Sequence, residues 1–151
     1  MTHLQEGDKA PDFNSVDQDG NKISLNDFRG KKLVLYFYPK DDTPGCTAQA
    51  CNLRDNYDLL KKQGSEIIGV SADPEAKHKK FIDKYDLPFR LISDTDKEVC
   101  KAYGVWGEKK FMGKTFDGIH RTTFIISKNG IIEEVITKVD TKKHASQFGV
   151  S

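Results

Sequence analysis

The chain has 151 residues, of which 36% are apolar and 31% are charged, and its net charge at pH 7 is +1. This length predicts one domain over residues 1–151 that is large enough to bury a core. No apolar run reaches the roughly 20 residues of a membrane-spanning helix, and the near balance of charge gives no electrostatic reason to expect nucleic acid or a membrane as a partner.

Apolar periodicity and turn residues predict an α/β fold, in which a mixed central sheet is flanked by helices and preceded by an N-terminal β-hairpin. The Asp-Gly pair at 19–20 and the Asn-Gly pair at 129–130 are typical of hairpin turns. In chain order, the predicted elements are a hairpin within 13–25, a strand over 33–38, a helix over 44–62, a strand over 66–71, a helix over 74–85, a strand over 89–93, a helix over 97–103, and a hairpin of strands 121–127 and 131–138.

The helix over 44–62 has clear start and stop signals. Thr43 is a suitable N-cap, and Pro44 is favoured at the first helical position. Gly64 predicts the end of this helix. Asp73 is expected to open the next helix, over 74–85.

Cys46 lies in the first turn of the helix over 44–62 and is the leading candidate for a nucleophile. Unpaired backbone N–H groups and the positive end of the helix dipole favour the thiolate there. Most free cysteines are small core residues, but the Thr43-Pro44-Gly45 lead-in and the helical position argue for chemistry at Cys46. Cys100 has no such setting and is expected to pack in the core.

Helical geometry separates Cys46 from Cys51. Cys51 lies about 140° around the helix from Cys46, on the polar face. The two Cα atoms would be about 8.7 Å apart, whereas a disulfide needs roughly 4.4–6.8 Å. A disulfide between them therefore requires at least one helical turn to unwind. Cys46 shares the predicted buried stripe with Ala50, Leu53, Tyr57 and Leu60.

Arg121, Thr43 and Pro39 fit around such a nucleophile. The guanidinium of Arg121 is suited to hold a thiolate and a polar substrate together, although a surface role is the commoner one. The hydroxyl of Thr43 serves either as the helix cap or as a donor to a substrate oxygen. Pro39 and Pro44 would stiffen the loop and keep water off the sulfur.

Two other kinds of site have weaker support. His120 beside Arg121 raises the alternative of a Cys46–His120 pair for acyl transfer, but nothing else indicates a hydrolase. Metal binding through Cys46 and Cys51 lacks a second ligand pair, and no cofactor is expected.

The cysteine count and the first residues predict a cytoplasmic protein. Three cysteines are present, an odd number without the pattern of a disulfide-rich domain. Residues 1–8 lack the basic and apolar segments of a secretory signal. In reducing cytoplasm a disulfide would be transient and catalytic.

Residues 39–47, PKDDTPGCT, resemble the active-site signature of the peroxiredoxins, Pro-x-x-x-Thr-x-x-Cys. Cys51, five residues after Cys46, resembles the bacterioferritin comigratory protein / peroxiredoxin Q subfamily. Further similar segments lie at 7–13, 94–97, 103–106 and 121–125. The resemblance implies a thioredoxin-like fold and a closing helix, for which the weakly patterned residues 141–151 are a poor match.

The resemblance also implies the roles of the site residues. Cys46 would be the peroxidatic cysteine and Cys51 the resolving cysteine, with Thr43, Arg121 and Pro39 completing the site. The expected activity is reduction of hydrogen peroxide and organic hydroperoxides by a monomer that a thioredoxin-like reductant recycles. A redox-sensing interaction module that uses the same Cys46–Cys51 switch is the alternative from another class.

Overall fold

The computed structural model describes residues 2–148 and contains an α/β fold with an N-terminal hairpin, as predicted. Within these residues, no helix combines the length and the apolar character needed to cross a membrane. The strands are β1 (Asn14–Val16), β2 (Lys22–Ser24), β3 (Lys32–Phe37), β4 (Ser65–Ser71), β5 (Arg90–Ser93), β6 (Trp106–Phe111), β7 (Lys114–Ile119), β8 (Thr122–Ile126) and β9 (Ile132–Ile136). The α-helices are α1 (Pro44–Asp55), α2 (Tyr57–Lys62), α3 (Glu75–Tyr85) and α4 (Glu98–Ala102).

The central sheet has the strand order β5-β4-β3-β8-β9. β3 pairs in parallel with β4 and antiparallel with β8. Alternate residues of β3 enter two apolar clusters, Leu33 and Leu35 on one face and Val34 and Tyr36 on the other. Because both faces of β3 are buried, this strand is apolar after its first residue instead of alternating apolar and polar residues. The central strand β3 ends beside the start of β8, which brings Arg121 close to the beginning of α1.

The prediction of a single helix over 44–62 is wrong, because the segment forms two helices, α1 and α2, that meet at Asn56. The backbone of Asn56 has φ −107° and ψ 5°, outside the helical range. Its side-chain Nδ2 donates to the carbonyl of Asn52 at 2.8 Å. Asparagine competes in this way with the backbone hydrogen bonds of a helix. The predicted stripe is nevertheless confirmed, since its members on both helices are buried: Cys46, Ala50, Leu53, Tyr57 and Leu60.

Asp73 does not open α3, which corrects the sequence-based prediction. The helix begins at Glu75, and no side chain caps it. The carboxylate of Asp73 accepts hydrogen bonds from the Asp41 N–H and the Ser71 hydroxyl, each at 2.8 Å. It therefore faces the loop between β3 and α1.

The hairpin of β6 and β7 was not predicted. Its strands are mostly exposed and lack the alternation of apolar and polar residues that identifies a half-buried strand. The turn is marked by Met112 and Gly113, which both have positive φ angles, of 51° and 79°. Two such residues between antiparallel strands are typical of a type I′ turn.

The C-terminal segment packs on α1 through a 3-10 helix over His144–Phe148 rather than a longer helix. Asn52 on α1 accepts a hydrogen bond from the Ala145 N–H at 2.8 Å and donates to the carbonyl of Lys142 at 3.1 Å. Ala145 belongs to the same apolar cluster as Cys46. Residues 149–151 of the weakly patterned segment lie outside the described residues.

His144 is expected to make the docking of this segment depend on pH. The ring is fully buried, and burial lowers its pKa, with the charge of Arg121 adding to the shift. Nδ1–H donates to Gln147 Oε1, which can only accept, and burial favours the neutral ring, in which Nε2 accepts from the Thr123 hydroxyl. The unfolded chain takes up a proton near pH 6.5, whereas the folded chain resists it.

We therefore expect the free energy of unfolding to fall as the pH drops below about 6.5, by at most about 1.4 kcal/mol per pH unit for this one proton. Denaturant melts of the wild type and His144→Gln across this range measure it. The difference between the two slopes isolates His144 from the carboxylates. Parallel pH profiles would contradict the assignment.

Candidate active site

Cys46 is the third residue of α1 and only 2% of its surface is exposed. Its side chain packs in one apolar cluster with Tyr36, Ala50 and Leu53. Cys51 is half-buried in the same helix, and both thiols are free. Cys46 is therefore more buried than Cys51, as the helical periodicity predicted.

Arg121 contacts the sulfur of Cys46 directly. Its Nη2 donates to Cys46 Sγ at 3.2 Å, and its Nη1 donates to Gln49 Oε1 at 2.6 Å. A Cβ at position 45 would lie 3.3 Å from Nη2, so a side chain there would displace the guanidinium by a few tenths of an ångström. The guanidinium thus bridges two residues of one helical face and lies against the first turn of α1.

Thr43 occupies the N-cap position of α1, but its side chain does not cap the helix. Its hydroxyl donates to the carbonyl of Lys40 at 2.9 Å. The proton of this hydroxyl is therefore engaged, and the oxygen lone pairs are what it offers to a bound molecule. Pro39 is half-buried in the same loop, between the end of β3 and Thr43.

Gln49 and Tyr36 belong to the surroundings of Cys46 and were missed from the sequence. Both are buried, and among residues 2–148 neither Gln49 Nε2 nor the Tyr36 hydroxyl has a hydrogen-bond partner. The available signal for Gln49 was a polar residue three positions after Cys46, on the predicted buried face. Tyr36 looked like an ordinary residue of a buried strand.

Burial and the charged groups near the sulfur shift the pKa values of two further side chains. Burial raises the pKa of Tyr36 well above its usual range, and the charges of Asp41 and Cys46 add to the shift, so the phenol stays a donor. Burial lowers the pKa of Lys109, and the nearby Arg121 contributes. Lys109 Nζ on β6 donates to the carbonyl of Ile119, two residues before Arg121, at 2.9 Å, and is therefore a second cationic group near the site that the sequence did not reveal.

His120 and Cys100 have hydrogen-bond or packing partners other than Cys46. His120 Nε2 donates to the carbonyl of Glu108 at 3.0 Å, so this nitrogen is not free to accept a proton from a thiol. Cys100 is fully buried in the cluster on the other face of the sheet. Burial raises the pKa of its thiol, and the carboxylate of Asp94 raises it further. Its location agrees with the predicted packing role.

Comparison with known proteins gives one consistent result. Residues 6–135 match the AhpC/TSA family. Peroxiredoxin Bcp of Escherichia coli (strain K12) is 52% identical over 144 residues, which are 95% of this chain and 92% of that protein. Peroxiredoxin Bcp of Bacillus subtilis (strain 168) is 43% identical over 144 residues, with coverage of 95% and 92%.

Solved structures agree with the sequence relatives. A cysteine-to-serine mutant of Xylella fastidiosa PrxQ superimposes with a TM-score of 0.91 at 30% identity, covering 97% of this chain and 94% of that one. The bacterioferritin comigratory protein of Xanthomonas campestris, whose structures were used to study its alkyl peroxide reduction activity, gives 0.88 at 34% identity, with coverage of 97% and 94%. The chain therefore belongs to the AhpC/TSA family and is a peroxiredoxin of the Bcp type, a thiol peroxidase with a thioredoxin-like fold.

Proposed function

We propose that this peroxiredoxin reduces hydrogen peroxide and organic hydroperoxides at Cys46, and that Cys51 resolves the product as an intramolecular disulfide. A thioredoxin-like dithiol protein then restores both thiols. The observation that carries the proposal is the 3.2 Å contact between Arg121 Nη2 and Cys46 Sγ at the N-terminus of α1. The chain acts as a single-domain monomer in the cytoplasm and needs no cofactor.

In the first step, the Cys46 thiolate attacks one oxygen of the peroxide. An S–O bond forms, the O–O bond breaks, and the leaving oxygen takes a proton to become water or an alcohol. Cys46 loses two electrons and becomes a sulfenic acid. A large thiolate fraction alone does not make this step fast, because nucleophilicity falls as the thiolate is stabilised.

The site must therefore also stabilise the charge that builds up on the leaving oxygen. The backbone N–H groups of Gly45 and Cys46 have no helical partner at the first turn, and Arg121 adds a fixed cation. Gln49 Nε2 is a further donor without a partner among the described residues. The Thr43 oxygen accepts the hydrogen of the peroxide, because its own proton is given to Lys40.

In the second step, the thiol of Cys51 attacks the sulfenic sulfur of Cys46. An S–S bond forms and water leaves. Because the cysteines are five residues apart in α1, the segment between them must leave the helical conformation first. A dithiol reductant then reduces this disulfide by thiol–disulfide exchange. The reductant is oxidised to a disulfide, and Cys46 and Cys51 return to thiols.

Mass spectrometry after one equivalent of peroxide tests this sequence. The wild type should lose two hydrogens without gaining oxygen, and its digest should contain a peptide that links Cys46 to Cys51. Cys51→Ser should complete one turnover and then carry one extra oxygen on Cys46, which a sulfenic-acid reagent captures. Cys100→Ala is the matched control and should behave as the wild type. Normal cycling of Cys51→Ser with thioredoxin would remove Cys51 from the resolving role.

Steady-state turnover separates this enzyme from a redox-sensing module with the same cysteine pair. An enzyme consumes many equivalents of peroxide when thioredoxin, its reductase and NADPH are supplied. A sensor reacts once and returns slowly to the reduced form. Catalytic cycling that needs both cysteines is the expected result, and a single equivalent consumed under these conditions would favour the sensor.

A further inference from the structure

A buried hydrogen-bonded pair, Asp41 and His78, lies beside the loop that leads into α1. His78 Nδ1 and Asp41 Oδ2 are 2.6 Å apart. His78 is fully buried and Asp41 is 7% exposed. The hydroxyl of Tyr38 donates to the other carboxylate oxygen of Asp41 at 2.5 Å. Neither Asp41 nor His78 takes part in the proposed chemistry at Cys46.

The hydrogen-bond partners of His78 define where its protons are. Nε2 is 2.8 Å from the carbonyl oxygen of Ile92, which can only accept, so Nε2 carries a hydrogen. The short contact between Nδ1 and Asp41 Oδ2 needs one further proton. Atoms of Asp41, Asp73 and His78 lie within 4.8 Å of one another, a spacing at which a cation is worth considering. The 2.6 Å separation of Nδ1 and Oδ2 is a hydrogen-bond distance, so these two atoms are bonded to each other.

This pair is bonded to the loop next to a residue in the left-handed region. Asp42 has a positive φ of 57°, a conformation that aspartate adopts more readily than most residues, and its carboxylate accepts hydrogen bonds from Lys84 and Tyr85 of α3. The Asp41 N–H donates to the carboxylate of Asp73, and the side chain of Asp41 is bonded to α3 through His78. Thr43 follows directly, so its position depends on these contacts.

Helix α3 also holds the far end of α1. Arg54 Nη1 donates to the carbonyl of Tyr85, the last residue of α3, at 2.7 Å. The segment between Asp41 and Arg54 contains both Cys46 and Cys51 and is therefore attached to α3 at each end. The unwinding that joins the two sulfurs has to occur between these attachments.

We propose that Asp41 and His78 are positioning residues that keep the loop and the first turn of α1 in the conformation that attacks peroxide. By doing so, they oppose the unwound conformation in which the disulfide forms. The inference rests on the proposed function. It adds that this pair sets the balance between the oxidation of Cys46 and the formation of the disulfide. Loss of the pair should slow the attack on peroxide and speed up disulfide formation.

The test follows the two steps separately in Asp41→Ala, His78→Ala and Asp41→Asn. Stopped-flow measurements give the second-order rate constant for oxidation of Cys46 and then the first-order rate constant for disulfide formation. We expect Asp41→Ala and His78→Ala to lower the first constant by about tenfold or more, because small misplacements of reacting groups have effects of this size. The second constant should rise in both variants.

Asp41→Asn is the conservative variant. Its amide oxygen can still accept from Tyr38, and its NH₂ can donate to Nδ1 of a neutral His78 whose Nε2–H stays on Ile92. This arrangement keeps the geometry without the shared proton. We expect it to restore both rate constants to within about threefold of the wild type, since the hydrogen bond is preserved.

Ile132→Ala and Lys84→Ala are the controls. Ile132 is a buried residue of β9, so its truncation lowers thermal stability without touching the loop. Lys84→Ala removes an exposed ion pair to Asp42. Opposite changes of the two rate constants in Asp41→Ala, absent from both controls, support the proposal. Equal changes in the two constants, or the same pattern in Ile132→Ala at a matched loss of stability, would overturn it.

Hydrogen exchange in the reduced protein tests the positioning role without any peroxidase assay. Amides between Lys40 and Thr47 should exchange faster in Asp41→Ala than in Lys84→Ala. Unchanged exchange there would refute the positioning role even in an active peroxidase. A wild type that does not consume peroxide would refute the proposed function while leaving this measurement meaningful.

Discussion

Cys46→Ser is expected to reduce peroxide turnover to the uncatalysed background, a loss of about 10⁴-fold or more. The serine hydroxyl stays protonated at neutral pH, and its oxygen cannot be oxidised as the sulfur is. The donors around position 46 remain in place in this variant, so the change removes the nucleophile alone. Peroxide consumption with thioredoxin, its reductase and NADPH measures the effect.

Cys100→Ala is the matched control for Cys46→Ser. It removes one thiol from the same protein, but Cys100 lies in α4 and packs in the cluster on the opposite face of the sheet. We expect some loss of stability and full turnover per folded molecule. If Cys46→Ser retained a substantial fraction of turnover while Cys100→Ala lost it, the assignment of the reacting sulfur would be wrong.

The position of Cys46 could be predicted because its signals are local. Proline at the first helical position and the apolar spacing through Leu60 lie within a few turns of the sulfur. These signals predicted the start of α1, the burial of Cys46 and the greater exposure of Cys51. The break at Asn56 escaped notice because the stripe of buried residues continues across it.

The contacts that shape the site could not be predicted because they join distant parts of the chain. Arg121 and Cys46 are 75 residues apart, and Asp41 and His78 are 37 residues apart. Single-sequence patterns contain no information on which side chains the sheet brings together. The chemistry of its guanidinium and the family resemblance both indicated Arg121, but its bond to Gln49 and the pair of Asp41 with His78 required the structure.

Arg121→Ala is expected to lower the second-order rate constant for peroxide by about 10²- to 10³-fold, the range seen when one donor to a developing oxyanion is removed. Two effects combine in this variant. The sulfur of Cys46 loses the cationic donor that lies 3.2 Å from it and stabilises its negative charge during the attack. The leaving oxygen also loses a charged donor. Single-turnover kinetics, together with the thiolate absorbance at pH 7, separate the two effects.

Arg121→Lys and Gln49→Leu show whether charge or geometry dominates. A lysine keeps the positive charge, but one ammonium group cannot reproduce the planar fork that reaches both Cys46 Sγ and Gln49 Oε1. Gln49→Leu keeps the guanidinium and removes its second acceptor. If geometry matters, both variants should fall between the wild type and Arg121→Ala. A rate constant that stays unchanged in Arg121→Ala itself would make Arg121 a structural residue.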